Sequence, residues 1–468
     1  MFTAREKIIR LLSTAIPGII IIGFLGYYYS FLIDTWWMFD DSQHVKKVAL
    51  DGLRVFTTPA EELGMIPANF TPWLLLNYWI DFKIGGLDPT TAHIHQIISV
   101  SVCGLAIYGA LSRWMPTWLA ASFCLFFLTT PASYTVIQIL CTRHYVEGLL
   151  YSCLSVILLK SFIENGGYWR LIFSATLYFV ACLNKEVYVP LFGFFTAYLA
   201  YIAVKRQSWS VFYYLAPFII IVLIYIPYRG YALGWDRLIS GYGSKIDHQG
   251  FTDVIDFFTR IINFNHFKGL MYFYVILIFA SLVTAFRAEK IRTLSIFMVG
   301  ASLVVGVLVP AYPVMPTARV NYNYTFVAVF VLLLLPTLWA CILCNSKNLR
   351  LFTNILLAST FSFSTYKNVT TYNPQSPLAK ANFHRDIFKR TKVEGEAILY
   401  EEESFSILKP TGAKWHHAGL YDIREKVLQS NPGPKACYAL CDCPKEQVVF
   451  AYADDALTQI ETETETCQ

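Results

Sequence analysis

The chain has 468 residues, 56% of them hydrophobic and only 15% charged, against roughly 45–50% and about 25% in soluble domains. Its apolar residues come in long runs rather than amphipathic stripes, which excludes an ordinary soluble enzyme and predicts a protein that crosses the lipid bilayer many times. The net charge of +5 sits in short basic clusters between the runs, without the aromatic-interleaved basic face of a nucleic-acid binder, so nucleic acid is not expected as a partner.

In chain order, eleven runs read as spans: Ile8–Leu32, Ile94–Ser112, Trp118–Ile137, Val146–Phe162, Leu171–Leu183, Val187–Val204, Val211–Pro227, Leu270–Phe286, Leu294–Val309, Tyr324–Cys344 and Leu351–Tyr366. Leu171–Leu183 is short for a hydrocarbon core of about 30 Å and needs Trp169 and the approach to Glu186 to suffice. Ile8–Leu32 is too long for a cleaved signal and no small-residue cleavage site follows it. With a cytoplasmic N-terminus every inside connection is basic: Arg5, Lys7 and Arg10; Arg113; Lys160 and Arg170; Lys205 and Arg206; Arg287, Lys290 and Arg292; Lys347 and Arg350. The outside then receives loops 33–93 and 228–269 and a tail, 367–468, separate from the membrane module 1–366. Within the first loop, Phe70–Ile84 is apolar and aromatic but interrupted by Asp81 and Lys83, so it predicts a helix lying in the interface. Asp88-Pro89 supplies a cap and a first-turn proline for the second span.

Ionisable groups near a bilayer are costly and call for a reason, and on the expected outer side they converge. Asp40 and Asp41 follow the first span in WWMFDDSQH. Arg143, His144 and Glu147 open the fourth, Lys185 and Glu186 form the turn before the sixth, His266 and Lys268 precede the eighth, and Arg319 lies before the tenth. Plainer readings compete: solvated loop acids for Asp40-Asp41, an i,i+4 salt bridge for Arg143 and Glu147, a hydrophilic hairpin tip for Lys185-Glu186. His93 and His95, two apart on a helix, diverge by about 200° and do not chelate one ion. A carboxylate that takes the proton of an acceptor hydroxyl, with Arg and Lys against a departing lipid phosphate, suits glycosyl transfer from a lipid-linked sugar.

The tail contains strand-like EAILYEE and QVVFAYA and a helical stretch near Leu420–Gln429, predicting a small α+β domain. Cys437, Cys441 and Cys443 cluster there, open to disulfides, free thiols or zinc. Cys467 lies in the same polar tail, and the other seven cysteines, in or beside apolar runs, behave as small hydrophobes.

These motifs, in this order and on one membrane side, resemble the GT-C superfamily of integral-membrane glycosyltransferases over roughly residues 1–345. They are Asp40-Asp41, FTPWLLLNYWIDFKIGGLDPTTAHIHQII, CTRHYVEGLL, NKEVYVP and TARVNYNY. The resemblance implies an α-helical polytopic membrane protein of about eleven spans with an extracytoplasmic tail domain. It implies a polyprenyl- or dolichyl-phosphate sugar as donor and a glycan, lipid or protein as acceptor. One of Asp40 and Asp41, with Asp40 favoured, would be the general base. Lys185 and Arg319 would bind the donor phosphate, Arg143 would assist, and Glu147 and Glu186 would orient these cations or the sugar, with His144 and Lys268 alongside. No metal site is expected as such, although the adjacent acids are able to hold Mg or Mn. The host membrane is a bacterial or archaeal cell membrane, or the ER of a eukaryote. Where the family has Arg before Pro in the interfacial helix, this chain has Thr71. A flippase of lipid-linked sugars, a polymerase or ligase of lipid-linked oligosaccharides, and a non-catalytic scaffold are the competing readings. The first lacks support from any internal repeat, and the second from a large late loop.

Overall fold

The computed structural model describes residues 4–38, 40–63, 70–235, 238, 251–265, 267–272, 325–343, 347–371 and four short strands between 396 and 460. The helices are α1 (Ala4–Tyr28), α2 (Asp41–Asp51), α3 (Pro72–Gly85), α4 (Thr90–Leu111), α5 (Thr117–Leu128), α6 (Pro131–Gln138), α7 (Arg143–Asn165), α8 (Tyr168–Asn184), α9 (Leu191–Arg206), α10 (Ala216–Leu233), α11 (Phe251–Phe264), α12 (Thr325–Leu343) and α13 (Lys347–Thr371). Among the described residues, five helical stretches are long and apolar enough to cross a membrane: Thr14–Asp34, Thr90–Leu111, Leu140–Asn165, Glu186–Arg206 and Trp209–Leu233. They fall on five of the runs read from the sequence. α8, at 17 residues, is as short as its run suggested. Leu294–Val309 and most of Leu270–Phe286, two of the eleven expected spans, lie outside the described residues.

One expected span is broken in the middle, its two helices together still long and apolar enough to be one bent span or a re-entrant pair. Trp118–Ile137 is two helices, α5 and α6, bent by 62°. The reason is local: Pro131 begins α6, and the residue before a proline is pushed out of the helical region. Thr130 is accordingly extended, and its Oγ1 accepts from the Ser133 amide. Hydroxyls add a second donor to carbonyls at the end of α5, Thr129 Oγ1 to Leu125 O at 2.9 Å and Ser133 Oγ to Phe127 O at 2.7 Å. From the far end of α11, Asn265 Oδ1 accepts the Ala132 amide at 3.1 Å. A break at membrane depth needs such partners, because lipid offers none.

Helix packing follows from small residues and hydroxyls, as expected where lipid removes the hydrophobic drive between helices. α7 is knitted to α8 by reciprocal bonds, Ser155 Oγ to Ser174 O at 2.8 Å and Ser174 Oγ to Ser155 O at 2.7 Å. Gly104 lets α4 approach Ile21 and Leu25 of α1, and Gly148 of α7 lies against the ring of Tyr188, in the place a Cβ would need. One core joins α1, α4, α5, α6, α7, α11, α12 and α13, and another joins α8, α9, α10 and the end of α7. A third lies under the loop after α1, where Trp36, Trp37 and Met38 pack with Val45, Leu74, Tyr78 and Leu140.

Between α1 and α4 the chain forms α2 and α3 instead of an open loop. α3 carries Pro72 in its first turn and stops at Gly86, whose φ of +61° suits glycine. The sequence read this segment as an interfacial helix broken by two charges, and the two differ: Lys83 is exposed, whereas Asp81 is buried. Asp88 Oδ1 then accepts from the Thr90 amide at 3.0 Å and the Thr90 hydroxyl at 2.7 Å, starting α4 as its Asp-Pro pair foretells.

In the tail, β1 (Glu396–Tyr400), β2 (Lys435–Cys437), β3 (Val448–Ala453) and β4 (Ala456–Ile460) form one sheet in the order β2-β1-β3-β4. β1 is parallel to β2 and β3, while β3 and β4 pair antiparallel. β1 and β3 are the two strands read from EAILYEE and QVVFAYA. The helical stretch near 420–429 lies outside the described residues.

Candidate active site

At one end of the bundle the starts of α4 and α7 meet the ends of α8 and α10, capped by α2 and α3. This gathering brings together seven residues singled out in the sequence: Asp40, Asp41, Arg143, His144, Glu147, Lys185 and Glu186. Lys268 is exposed beside the α11 end, and His266 and Arg319 lie outside the described residues.

The two adjacent aspartates have different surroundings. Asp41 is buried, and three donors converge on it: the Met38 amide on Oδ2 at 2.8 Å, and Tyr78 Oη at 2.8 Å and the Cys141 amide at 2.7 Å on Oδ1. It therefore ties the turn after α1 to α3 and to the start of α7. Burial pushes its carboxyl up to about 7, against the pull of those three donors. Asp40, the N-cap residue of α2, is exposed and makes no side-chain bond to the helix it caps. His44, one turn on, stacks on Tyr78 with centroids 5.4 Å apart. The charges of Asp40 and Lys185 both act on its imidazole, and burial holds it below the usual histidine range.

Arg143 is 1% exposed and its guanidinium is fully engaged. Nη1 donates to Asp81 Oδ2 at 2.6 Å, Nη2 to Ala92 O at 2.7 Å and Nε to Gln96 Oε1 at 3.2 Å. The i,i+4 pair with Glu147 offered by spacing is not the one formed. Glu147 instead accepts from Asn77 of α3 and from Ser99 Oγ at 3.0 Å. His95 closes the group, its Nδ1 2.9 Å from Asp81 Oδ1 and its Nε2 3.6 Å from Glu147 Oε1. Burial raises the Asp81 carboxyl, but Arg143 and His95 outweigh it and hold the group below the usual carboxylate range.

On the other side, Lys185 is 1% exposed at the end of α8. Glu186 stands between two cations, 3.5 Å from Lys185 Nζ and 3.5 Å from Arg229 Nη1. Arg229, in the last turn of α10, also donates from Nε to Leu238 O at 3.0 Å. The charges of Lys185 and His44 reach His144, whose two ring nitrogens are buried with no hydrogen-bond partner among the described residues. No three His, Cys, Asp or Glu side chains form a metal-ligand set among the described residues. For a divalent cation, Asp40 is the acid of the pair with an open carboxylate.

No family model and no curated protein matches the chain. Solved structures of one protein are similar to it. ArnT from Cupriavidus metallidurans in the apo state is 12% identical, with a TM-score of 0.45 over 88% of this chain and 85% of that one. ArnT from the same organism bound to undecaprenyl phosphate is 14% identical, with a TM-score of 0.43 over 93% of this chain and 90% of that one. At these TM-scores the two likenesses assign no side-chain roles, and the reading that follows rests on this chain's own residues.

Sequence reasoning overlooked Arg229, His44, Asn77, Tyr78 and Gln96 as members of this group, and it used Asp81 solely as an interruption of an apolar helix. Asn77, Tyr78 and Asp81, at i, i+1 and i+4 of an otherwise apolar stretch, were the available signal, since polar groups at helical spacing share a face. Arg229 was assigned to a loop that begins in the structure only after Leu233.

Proposed function

We propose that the protein is a multi-pass membrane glycosyltransferase that moves a sugar from a polyprenyl-phosphate donor to an acceptor on the extracytoplasmic face, its N-terminus cytoplasmic. The observation that carries this reading is an exposed carboxylate, Asp40, whose charge acts with that of Lys185 on His44, with His144 within reach of Lys185 and His44, while its neighbour Asp41 is committed to holding the turn. Asp40 takes the proton of the acceptor hydroxyl, the hydroxyl oxygen bonds to the anomeric carbon, and the bond from that carbon to the phosphate oxygen breaks. The polyprenyl phosphate departs with the electron pair. Lys185 and Arg229 stabilise its growing charge, Lys185 as a compact charge and Arg229 by its planar fork. Glu186 holds the two cations side by side, His144 donates to a phosphate or sugar oxygen, and Lys268 and Arg319 complete the donor site from the later loops. Glu147 serves this site from within α7 through its bond to Asn77 of α3.

The test is label transfer by purified full-length protein from a panel of radiolabelled polyprenyl-phosphate sugars to a crude acceptor fraction. Transfer by wild type that disappears in a folded Asp40→Asn variant is the expected result. Transfer that survives Asp40→Asn removes Asp40 as base. Lipid movement across vesicles without transfer favours the flippase.

A further inference from the structure

The network around Arg143 points to a role that neither the motif resemblance nor the proposed chemistry assigns. We propose that Asp81 and Arg143 are positioning residues that lock α3 onto the spans α4 and α7 and, through Tyr78, fix the turn that presents Asp40. The connections are continuous. Asp81 binds the Arg143 guanidinium at 2.6 Å, and the same guanidinium lies 6.0 Å from the centroid of the Tyr78 ring. Tyr78 stands one turn before Asp81 on α3, stacks on His44 and donates to Asp41 at 2.8 Å. Asp41 holds the Met38 amide, and Asp40 is its immediate neighbour. Among the described residues Arg143 reaches that turn through Tyr78, and its nitrogens face Asp81, His95, Ala92 and Gln96.

Such an arrangement suits a juxtamembrane helix. α3 lies among polar groups that lipid would leave unsatisfied, and a fork-shaped cation held by a carboxylate, a carbonyl and an amide sets its orientation more narrowly than apolar contact does. Removing one partner of a buried ion pair leaves a charge unpaired, while removing both avoids that penalty. The contrast separates a positioning role from a purely folding role.

The inference uses the proposed glycosyl transfer only for its effect on turnover; its contacts are testable without it. Hydrogen–deuterium exchange of the full-length protein in detergent reads the amides of Met38 and Cys141, the two that bond to Asp41. Tyr78→Phe, which removes one hydroxyl and leaves the ion pair, should speed exchange at both by about tenfold, the effect of one bond to a charged group. Asp81→Asn should do the same while amides in α9 stay protected. The double variant Asp81→Asn with Arg143→Gln, free of unpaired buried charge, should remain loosened at Met38 and Cys141. Wild-type protection in the double variant, or in a folded Asp81→Asn variant, overturns the inference. Where wild type transfers label, these variants should lower kcat with little change in the donor KM, and a rise in KM alone overturns positioning. If no protein transfers label and the exchange still changes as described, the glycosyltransferase reading fails and the positioning role stands.

Discussion

Two groups of charges occupy the same end of the bundle and are wired differently. Around Arg143, five residues from three helices, Arg143 included, meet at 2.6–3.2 Å, each of the three guanidinium nitrogens facing a partner. Around Lys185, both ion pairs stand at 3.5 Å, and the ring nitrogens of His144 have no partner among the described residues. The first group holds a shape, and the second is the one that the proposed reading gives to the donor phosphate. Residue type alone does not tell them apart, since both contain an arginine, a glutamate and a histidine.

The contrast is most sharply tested at Asp40. Asp40→Asn should lower transfer by about 10²–10⁴-fold, the usual share of a general base, with the melting temperature unmoved because the carboxylate is exposed. A loss of folding in that variant would place Asp40 in the holding group. Arg143→Gln should behave the opposite way, strands Asp81 and should cost roughly 3–5 kcal/mol of stability, read as an early thermal transition. An unchanged transition would mean that the network is not holding α3.

Asp41 provides a test through pH. Its folded-state carboxyl, raised by burial to about 7, lies above the value of about 3.9 in an unfolded chain, so the folded protein binds this proton more tightly. The stability it contributes is fully present below about pH 4 and is lost as pH rises through about 7. The melting temperature of wild type relative to Asp41→Asn should therefore fall between pH 5 and pH 8, by a step worth on the order of a few kcal/mol. A difference that does not depend on pH rejects the raised carboxyl. The smallest effect is expected at the cations: if the proposed donor site is right, Lys185→Ala and Arg229→Ala should each weaken binding of a polyprenyl phosphate by about tenfold, measured by tryptophan quenching in detergent. Equal binding in all three proteins would move the phosphate site elsewhere.

How much of this was legible in the sequence depended on the range of the interaction. Apolar runs gave helices close to their observed limits because length and hydropathy are local properties, and the Asp88-Pro89 start of α4 followed from two adjacent residues. The Thr130-Pro131 break was equally local and was missed because apolarity continues across it. Spacing offers Arg143 a charge partner four residues away as one reading, whereas its partner is 62 residues distant on α3. No spacing rule reports such a pair. Arg229 escaped because helix α10 runs beyond Pro227, a residue that reads as a terminator and is instead carried inside the helix.

The contact between Gly148 and Tyr188 has a consequence for how sequences of this architecture are free to drift. The tyrosine ring fills the volume that any larger residue at 148 would require, and its hydroxyl donates to Tyr145 O in the same helix. A chain with alanine at the first position must carry a smaller side chain at the second, so the two sites are expected to change as a pair. In a collection of divergent relatives, glycine and tyrosine here should be inherited together or lost together.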